Sequence, residues 1–83
     1  MYKIYTKTNC TYCTAAKNML NAKGIPFVEF NIENNEHYKE TLLTEVPHPK
    51  TVPQIFENDQ YIGGYLELVE RMKHYDTSNM LYE

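Results

Sequence analysis

The chain has 83 residues, 42% of them in the apolar class with eight tyrosines included, and a formal net charge of −3; this is material for one small domain and excludes a second. No apolar run approaches the ~18 residues of a membrane span, the opening Met1-Tyr2-Lys3-Ile4 lacks the basic-then-apolar pattern of a signal peptide, and the mild acidity argues against nucleic acid as a partner. The charge is nonetheless divided: residues 1–27 hold Lys3, Lys7, Lys17 and Lys23 and no acid, while all eleven carboxylates follow from Glu29 onward.

Tyr2-Lys3-Ile4-Tyr5-Thr6 reads as a strand, β-branched and aromatic with turn formers after it. From about Thr11 to Lys23 the pattern is helical, with Cys13, Ala16 and Leu20 on one face and Met19 bordering it. Gly24 suits the left-handed C-terminal cap and Pro26 forbids continuation. Phe27 to Ile32 is a second strand, apolar enough to be expected buried on both faces like a parallel strand. Asn34 or Asn35 caps a second helix running to about Val46 on a stripe of Tyr38, Leu42 and Val46, with Leu43 beside it. Pro47 stops that helix, and Pro47-His48-Pro49-Lys50 is extended or turning.

Gln54-Ile55-Phe56 and Gln60-Tyr61-Ile62 then flank Glu57-Asn58-Asp59 as a short hairpin. Gly63-Gly64 opens a last helix with a stripe of Tyr65, Leu68, Val69 and Met72, and with Arg71, Lys73 and His74 in its final turn, where cations suit the dipole. The order β-α-β-α-β-β-α predicts an α/β fold in which a right-handed βαβ unit and a hairpin build a four-stranded mixed sheet flanked by helices. One domain over 1–83 is expected, with 76–83 a C-terminal tail that is either a frayed end or packs Met80 and Leu81 on the core.

The chemistry begins at Cys10-Thr11-Tyr12-Cys13. Two thiols three residues apart at a helix start can close a disulfide without unwinding the turn. The first sulfur lies near unpaired N–H groups and the positive end of the dipole, which favour thiolate over thiol. Cys10 is therefore the expected exposed nucleophile, with a pKa in the range of roughly 3.5–7.5 found for such motifs. Cys13, one turn further in and facing the core, is the resolving thiol, and Lys7 and Lys17 add positive potential nearby. Half a zinc site is the competing reading. Zinc takes four ligands, however, there is no second pair, and His37, His48 and His74 lack ligand spacing, so no metal site is expected. A purely structural disulfide closing so small a loop would constrain the unfolded chain little.

Two further motifs bear on the same chemistry. In Thr51-Val52-Pro53 the proline blocks ladder pairing and fixes the local turn. A cis Val52–Pro53 bond would hold the Val52 backbone against the dithiol, leaving its N–H and C=O for an extended peptide. Gly63-Gly64 brings the N-terminal amides of the last helix close to a bound group, which suits a carboxylate.

Cys10-Thr11-Tyr12-Cys13, Thr51-Val52-Pro53-Gln54-Ile55-Phe56 and Ile62-Gly63-Gly64-Tyr65, in this order and spacing, resemble the glutaredoxin family over about residues 2–75. The resemblance implies a thioredoxin fold and an enzyme that reduces protein disulfides and glutathione mixed disulfides, with glutathione as co-substrate and no tightly bound cofactor. It implies a glutathione site at Lys7, Tyr12, Thr51, Val52, Pro53, Gly64, Tyr65 and Leu66, with Lys50 and Gln54 near the tripeptide's glycine carboxylate. The partners it implies are glutathione and disulfide-containing proteins, with ribonucleotide reductase a family-level candidate; a monomer is expected. The cytoplasm is the expected compartment, since catalytic dithiols are kept reduced there. Two departures stand out. Thr11 replaces the proline common in the motif, which alters the redox poise, and Leu66-Glu67 stands where many members place Asp or Ser, leaving backbone amides for the glutamyl end of glutathione. Glu67 would repel a carboxylate if it turned inward. Two rival functions are a redoxin fed by thioredoxin reductase, which usually carries a Trp absent here, and a [2Fe–2S] carrier, which Thr11 leaves open.

Overall fold

The computed structural model describes residues 1–46 and 51–81, with 74–81 described by backbone alone. The elements follow the expected order: β1 (Tyr2–Thr6), α1 (Thr11–Ala22), β2 (Phe27–Asn31), α2 (Glu36–Glu45), β3 (Gln54–Glu57), β4 (Gln60–Gly63) and α3 (Tyr65–Leu81). The expectations for Pro47, His48, Pro49 and Lys50 lie outside the described residues.

The helix ends are set by side chains. Cys10 is the N-cap of α1, and at its far end Gly24 takes φ +69° and donates its N–H to Asn21 O. Asn35, rather than Asn34, caps α2, its Oδ1 accepting the His37 N–H at 2.8 Å. Val46 then turns extended and ends the helix.

The sheet order is β2-β1-β3-β4, with β1 parallel to β2 and antiparallel to β3, and β3 antiparallel to β4. Period-2 alternation sends Tyr2 and Ile4 of β1 to one face, where with Ile55 they meet Ala16 and Leu20 of α1 and Leu68 and Met72 of α3. Tyr5 goes to the other face and joins Phe56 and Leu42 of α2, with Phe30, Ile32 and Val46 around them. On that second face a row of rings crosses the sheet. Tyr38, Phe30, Tyr5, Phe56 and Tyr61 lie 5.0, 5.2, 5.9 and 5.3 Å apart in succession. Such pairs add about 0.5–1.5 kcal/mol each beyond their burial.

Two expectations are corrected. β2 is not buried on both faces: it is the outer strand, Val28 and Glu29 are exposed, and only Phe27, Phe30 and Asn31 are half-buried. Hydropathy signals that a strand is apolar but not that it sits at an edge. α3 also continues to Leu81, so Arg71 and Lys73 stand mid-helix rather than in a final turn, and the backbone of 76–81 belongs to the helix. No Pro or Gly after Gly64 interrupts it. The contacts expected of Met80 and Leu81 lie outside the described side chains.

This topology gathers the three motifs. The loop after β1, the segment before β3 and the Gly63-Gly64 turn after β4 all lie at the same end of the sheet, because β3 runs against β1 and β4 against β3.

Candidate active site

The loop from β1 to α1 is held from the β2 side. The Ile32 N–H donates to Thr6 O at 2.9 Å and the Thr8 N–H to Glu33 Oε1 at 2.7 Å, and Asn9 takes a left-handed φ of +56° before Cys10. These fixed points aim Cys10 at the mouth of α1.

Cys10 and Cys13 are joined in a disulfide with a Cα–Cα distance of 5.2 Å, within the usual range of ~4.4–6.8 Å. Cys13 is 2% exposed while Cys10 is half-buried, the asymmetry expected of a resolving and an attacking sulfur. The Cys13 N–H points at Cys10 Sγ at 3.1 Å. Once the disulfide opens, this donor and the start of the helix stabilise negative charge on that sulfur. Cys10 Sγ also lies 3.7 Å from the Val52 carbonyl oxygen, so the proline loop closes over the dithiol. The Val52–Pro53 bond is cis, as the sequence suggested.

Two hollows meet at this loop. One, of about 240 Å³, is lined by Lys7, Ile32, Lys39, Leu42, Leu43, Thr51 and Val52. The other, of about 250 Å³, is lined by Tyr12, Thr51, Val52, Pro53, Gly64, Tyr65, Leu66 and Glu67. Thr51 and Val52 belong to both, so the hollows form one groove along the proline loop, where the Val52 carbonyl meets Cys10 Sγ. Eight of the residues expected at the glutathione site thus line this groove: Lys7 in one half, Tyr12, Pro53, Gly64, Tyr65 and Leu66 in the other, Thr51 and Val52 between them. The rings of Tyr12 and Tyr65 stack at 5.5 Å and 29° to wall the second half. Gly64 permits the narrow spacing there, since a Cβ on it would stand 3.3 Å from Pro53 O.

The structure also moves some side chains away from their expected places. Gln54 does not reach the groove: it is 5% exposed, its Nε2 donates to Thr51 O at 2.7 Å, and its Oε1 accepts the Tyr61 hydroxyl. It braces the proline loop from behind. Partial burial of its own hydroxyl, and then the nearby Glu67 charge, push the Tyr61 phenol above its ordinary value of 10.0. Lys17 is not a free cation, because its Nζ is 3.0 Å from Glu29 Oε2, which also accepts from the buried Thr6 hydroxyl at 2.6 Å. Burial is the largest influence on Glu29 and pushes its carboxyl up. The Thr6 and Lys17 hydrogen bonds and the Lys17 charge together outweigh it and hold the pKa below the usual 4.5. Glu67 turns back to the start of its own helix, where its Oε1 accepts the Gly64 N–H at 2.7 Å. Lys50 lies outside the described residues.

The apolar Ile32, Leu42 and Leu43 also line the groove, and beside them Lys39 is the charged lining residue that the sequence reading missed. It sits on α2 one turn before the buried Leu42, so its side chain leaves on the side of the helix that borders the groove. That i, i+3 relation to a core leucine was the available signal. No cluster of three His, Cys, Asp or Glu side chains capable of holding a metal occurs among the described residues. No helix among them is long and apolar enough to cross a membrane.

This arrangement matches known proteins in sequence and in shape. The glutaredoxin family model matches residues 3–62. Glutaredoxin 3 of Escherichia coli is 44% identical over 62 residues, which cover 75% of this chain and 74% of that protein. A probable glutaredoxin of Synechocystis sp. is 40% identical over 62 residues, 75% of this chain but only 57% of that longer relative. Among solved structures, glutaredoxin 1 from Francisella tularensis, complexed with cacodylate, is 34% identical with a TM-score of 0.66 over 99% of this chain and 96% of that one. The buckwheat glutaredoxin–glutathione complex is 23% identical with a TM-score of 0.77 over 98% of this chain and 76% of that one, a likeness of fold. The family model's segment holds the dithiol and the cis-proline loop and stops just before Gly63, and the Cys10–Cys13 pair keeps both sulfurs. The chain therefore belongs to the glutaredoxin family of glutathione-dependent thiol–disulfide oxidoreductases, in its dithiol form.

Proposed function

We propose that this chain reduces protein disulfides and glutathione mixed disulfides, with glutathione seated in the groove on either side of Val52. The observation that carries the reading is the Cys10–Cys13 disulfide at the mouth of α1, with Cys10 Sγ 3.7 Å from the carbonyl oxygen of Val52, a residue that lines both halves of that groove. The buckwheat protein, which shares this fold, is a complex with glutathione.

In the reductive direction the Cys10 thiolate attacks one sulfur of a substrate disulfide. The Cys10–substrate S–S bond forms, the substrate S–S bond breaks, and the leaving thiolate takes a proton from water. The Cys13 thiolate then attacks Cys10 Sγ, closing the intramolecular disulfide and releasing the second substrate thiol. The two cysteines have supplied two electrons. Two glutathione molecules restore the dithiol and leave as glutathione disulfide. With a glutathione mixed disulfide, Cys10 takes the glutathionyl group itself, and a second glutathione removes it without Cys13. The Cys13 N–H on Cys10 Sγ makes Cys10 the better leaving group when the second glutathione attacks the glutathionyl sulfur of the Cys10 mixed disulfide.

Charge sets the seating. The glycine carboxylate of glutathione goes to Lys7 and Lys39, its cysteine lies beside Val52, and its glutamyl end goes to Tyr65 and Leu66, between the Tyr12–Tyr65 wall and Pro53. The test is a glutathione-coupled reduction assay on wild type and both cysteine variants. Cys10→Ser abolishes turnover, whereas Cys13→Ser keeps part of the activity on glutathione mixed disulfides. Equal loss in both variants would overturn the division of roles.

A further inference from the structure

The groove is electrically unequal along its length. Its half beside α2 carries Lys7 and Lys39, and its half beside α3 carries Glu67 and, among the described residues, no cation. Neither lysine makes an ion pair among the described residues. Glu67 is held in place through Oε1 on the Gly64 N–H, the returning arm of a capping box, and its second oxygen has no partner among the described residues. Arg71, one turn on, is taken up by Glu57 at 2.7 Å.

Chain direction adds an independent constraint. Thr51 and Val52 line both halves but Pro53 lines only the acidic one, so the backbone from Thr51 to Pro53 runs from the cationic end toward the acidic end. An extended segment lying antiparallel to it enters at Glu67 and leaves at Lys7 and Lys39. In that direction a basic side chain suits the entry at Glu67 and an acidic one the exit at Lys7 and Lys39. In an extended segment, side chains two positions either side of the reacting cysteine point the same way as that cysteine.

We propose that the preferred protein substrates present their disulfide cysteine in an extended segment with a basic residue two positions before it and an acidic residue two positions after it, lying antiparallel to Thr51–Pro53 between Glu67 and the Lys7 and Lys39 pair. This rests on the oxidoreductase reading above and names the substrate class of the same site. The exchange is unchanged: Cys10 sulfur bonds the substrate cysteine sulfur as the substrate S–S bond breaks, the other half leaves as a thiol, and Cys13 or glutathione then attacks the mixed disulfide and forms its own S–S bond as the substrate cysteine and Cys10 part.

The experiment compares two peptides of identical composition as symmetric disulfides, acetyl-Lys-Ala-Cys-Ala-Glu-amide and acetyl-Glu-Ala-Cys-Ala-Lys-amide, in the glutathione-coupled assay at low salt. A solvent-exposed ion pair is worth about threefold, so two of them give the first peptide a kcat/KM advantage of about tenfold. Glu67→Gln keeps the capping arm and lowers the preference to about threefold. Equal rates for the two peptides, or a preference untouched by Glu67→Gln, would overturn the proposal. Reduction of neither peptide would bring down the oxidoreductase reading and this proposal with it.

Discussion

Tyr61→Phe tests whether the proline loop is braced from behind. The substitution deletes one oxygen and keeps the ring that lies 5.3 Å from Phe56. What it removes is the hydroxyl donor to Gln54 Oε1, and Gln54 is 5% exposed. A buried acceptor stripped of its partner costs about 1–3 kcal/mol. Tyr61 itself is 46% exposed, so water reaches the vacated position and the low end, about 1 kcal/mol, applies. With an unfolding entropy of roughly 2.1 cal/mol/K per residue, a domain of this size loses about 6 °C in Tm. The second consequence is functional. Gln54 Nε2 holds the Thr51 carbonyl at 2.7 Å, and a loosened Gln54 lets Thr51 and Val52 shift in the groove, so KM for glutathione rises about two- to threefold at constant kcat. Thermal melts followed by circular dichroism, with steady-state kinetics on the same preparation, read both effects. A Tm within about 1 °C of wild type together with an unchanged KM would refute the brace.

Two further predictions concern charge. Glu29 has its pKa held below 4.5 in the folded chain, so its contribution is fully present above that value and is lost as pH falls through the lower folded one; Glu29→Gln makes the acid limb of a urea-midpoint profile below about pH 4.5 shallower, and an unaltered limb would show that the Thr6–Glu29–Lys17 cluster is not linked to folding. Lys7 and Lys39 lie on a groove open to solvent, so KM for glutathione rises with added salt, and Lys7→Gln flattens that dependence; a salt-independent wild type would refute attraction of the tripeptide by these lysines.

Local signals in the sequence carried the fold a long way because they were mutually consistent. Gly24 and Pro26 marked the end of one helix, Asn34 or Asn35 the start of the next, and the β-branched and aromatic Tyr2–Thr6 the first strand. The dithiol was legible because spacing and helix position together define its chemistry. What stayed hidden depended on neighbours distant in sequence. The edge position of β2 follows from strand order, which hydropathy does not encode. Lys17 looked like a free cation because Glu29 arrives from another strand. Gln54 looked available for a ligand until β4 brought Tyr61 to its amide. Glu67 is a different case: its partner Gly64 is only three residues away, and it is the folded turn that shows its carboxylate closing back on its own helix.

The stacked Tyr12 and Tyr65 make the protein report on its own oxidation state. There is no tryptophan to mask tyrosine emission, and one ring of the pair lies between the two cysteines in sequence while the other is held against it. A disulfide quenches the emission of an adjacent phenol, and a dithiol does so less. Opening of the Cys10–Cys13 bond is therefore expected to brighten tyrosine fluorescence, giving an unlabelled optical signal for each turn of the catalytic cycle.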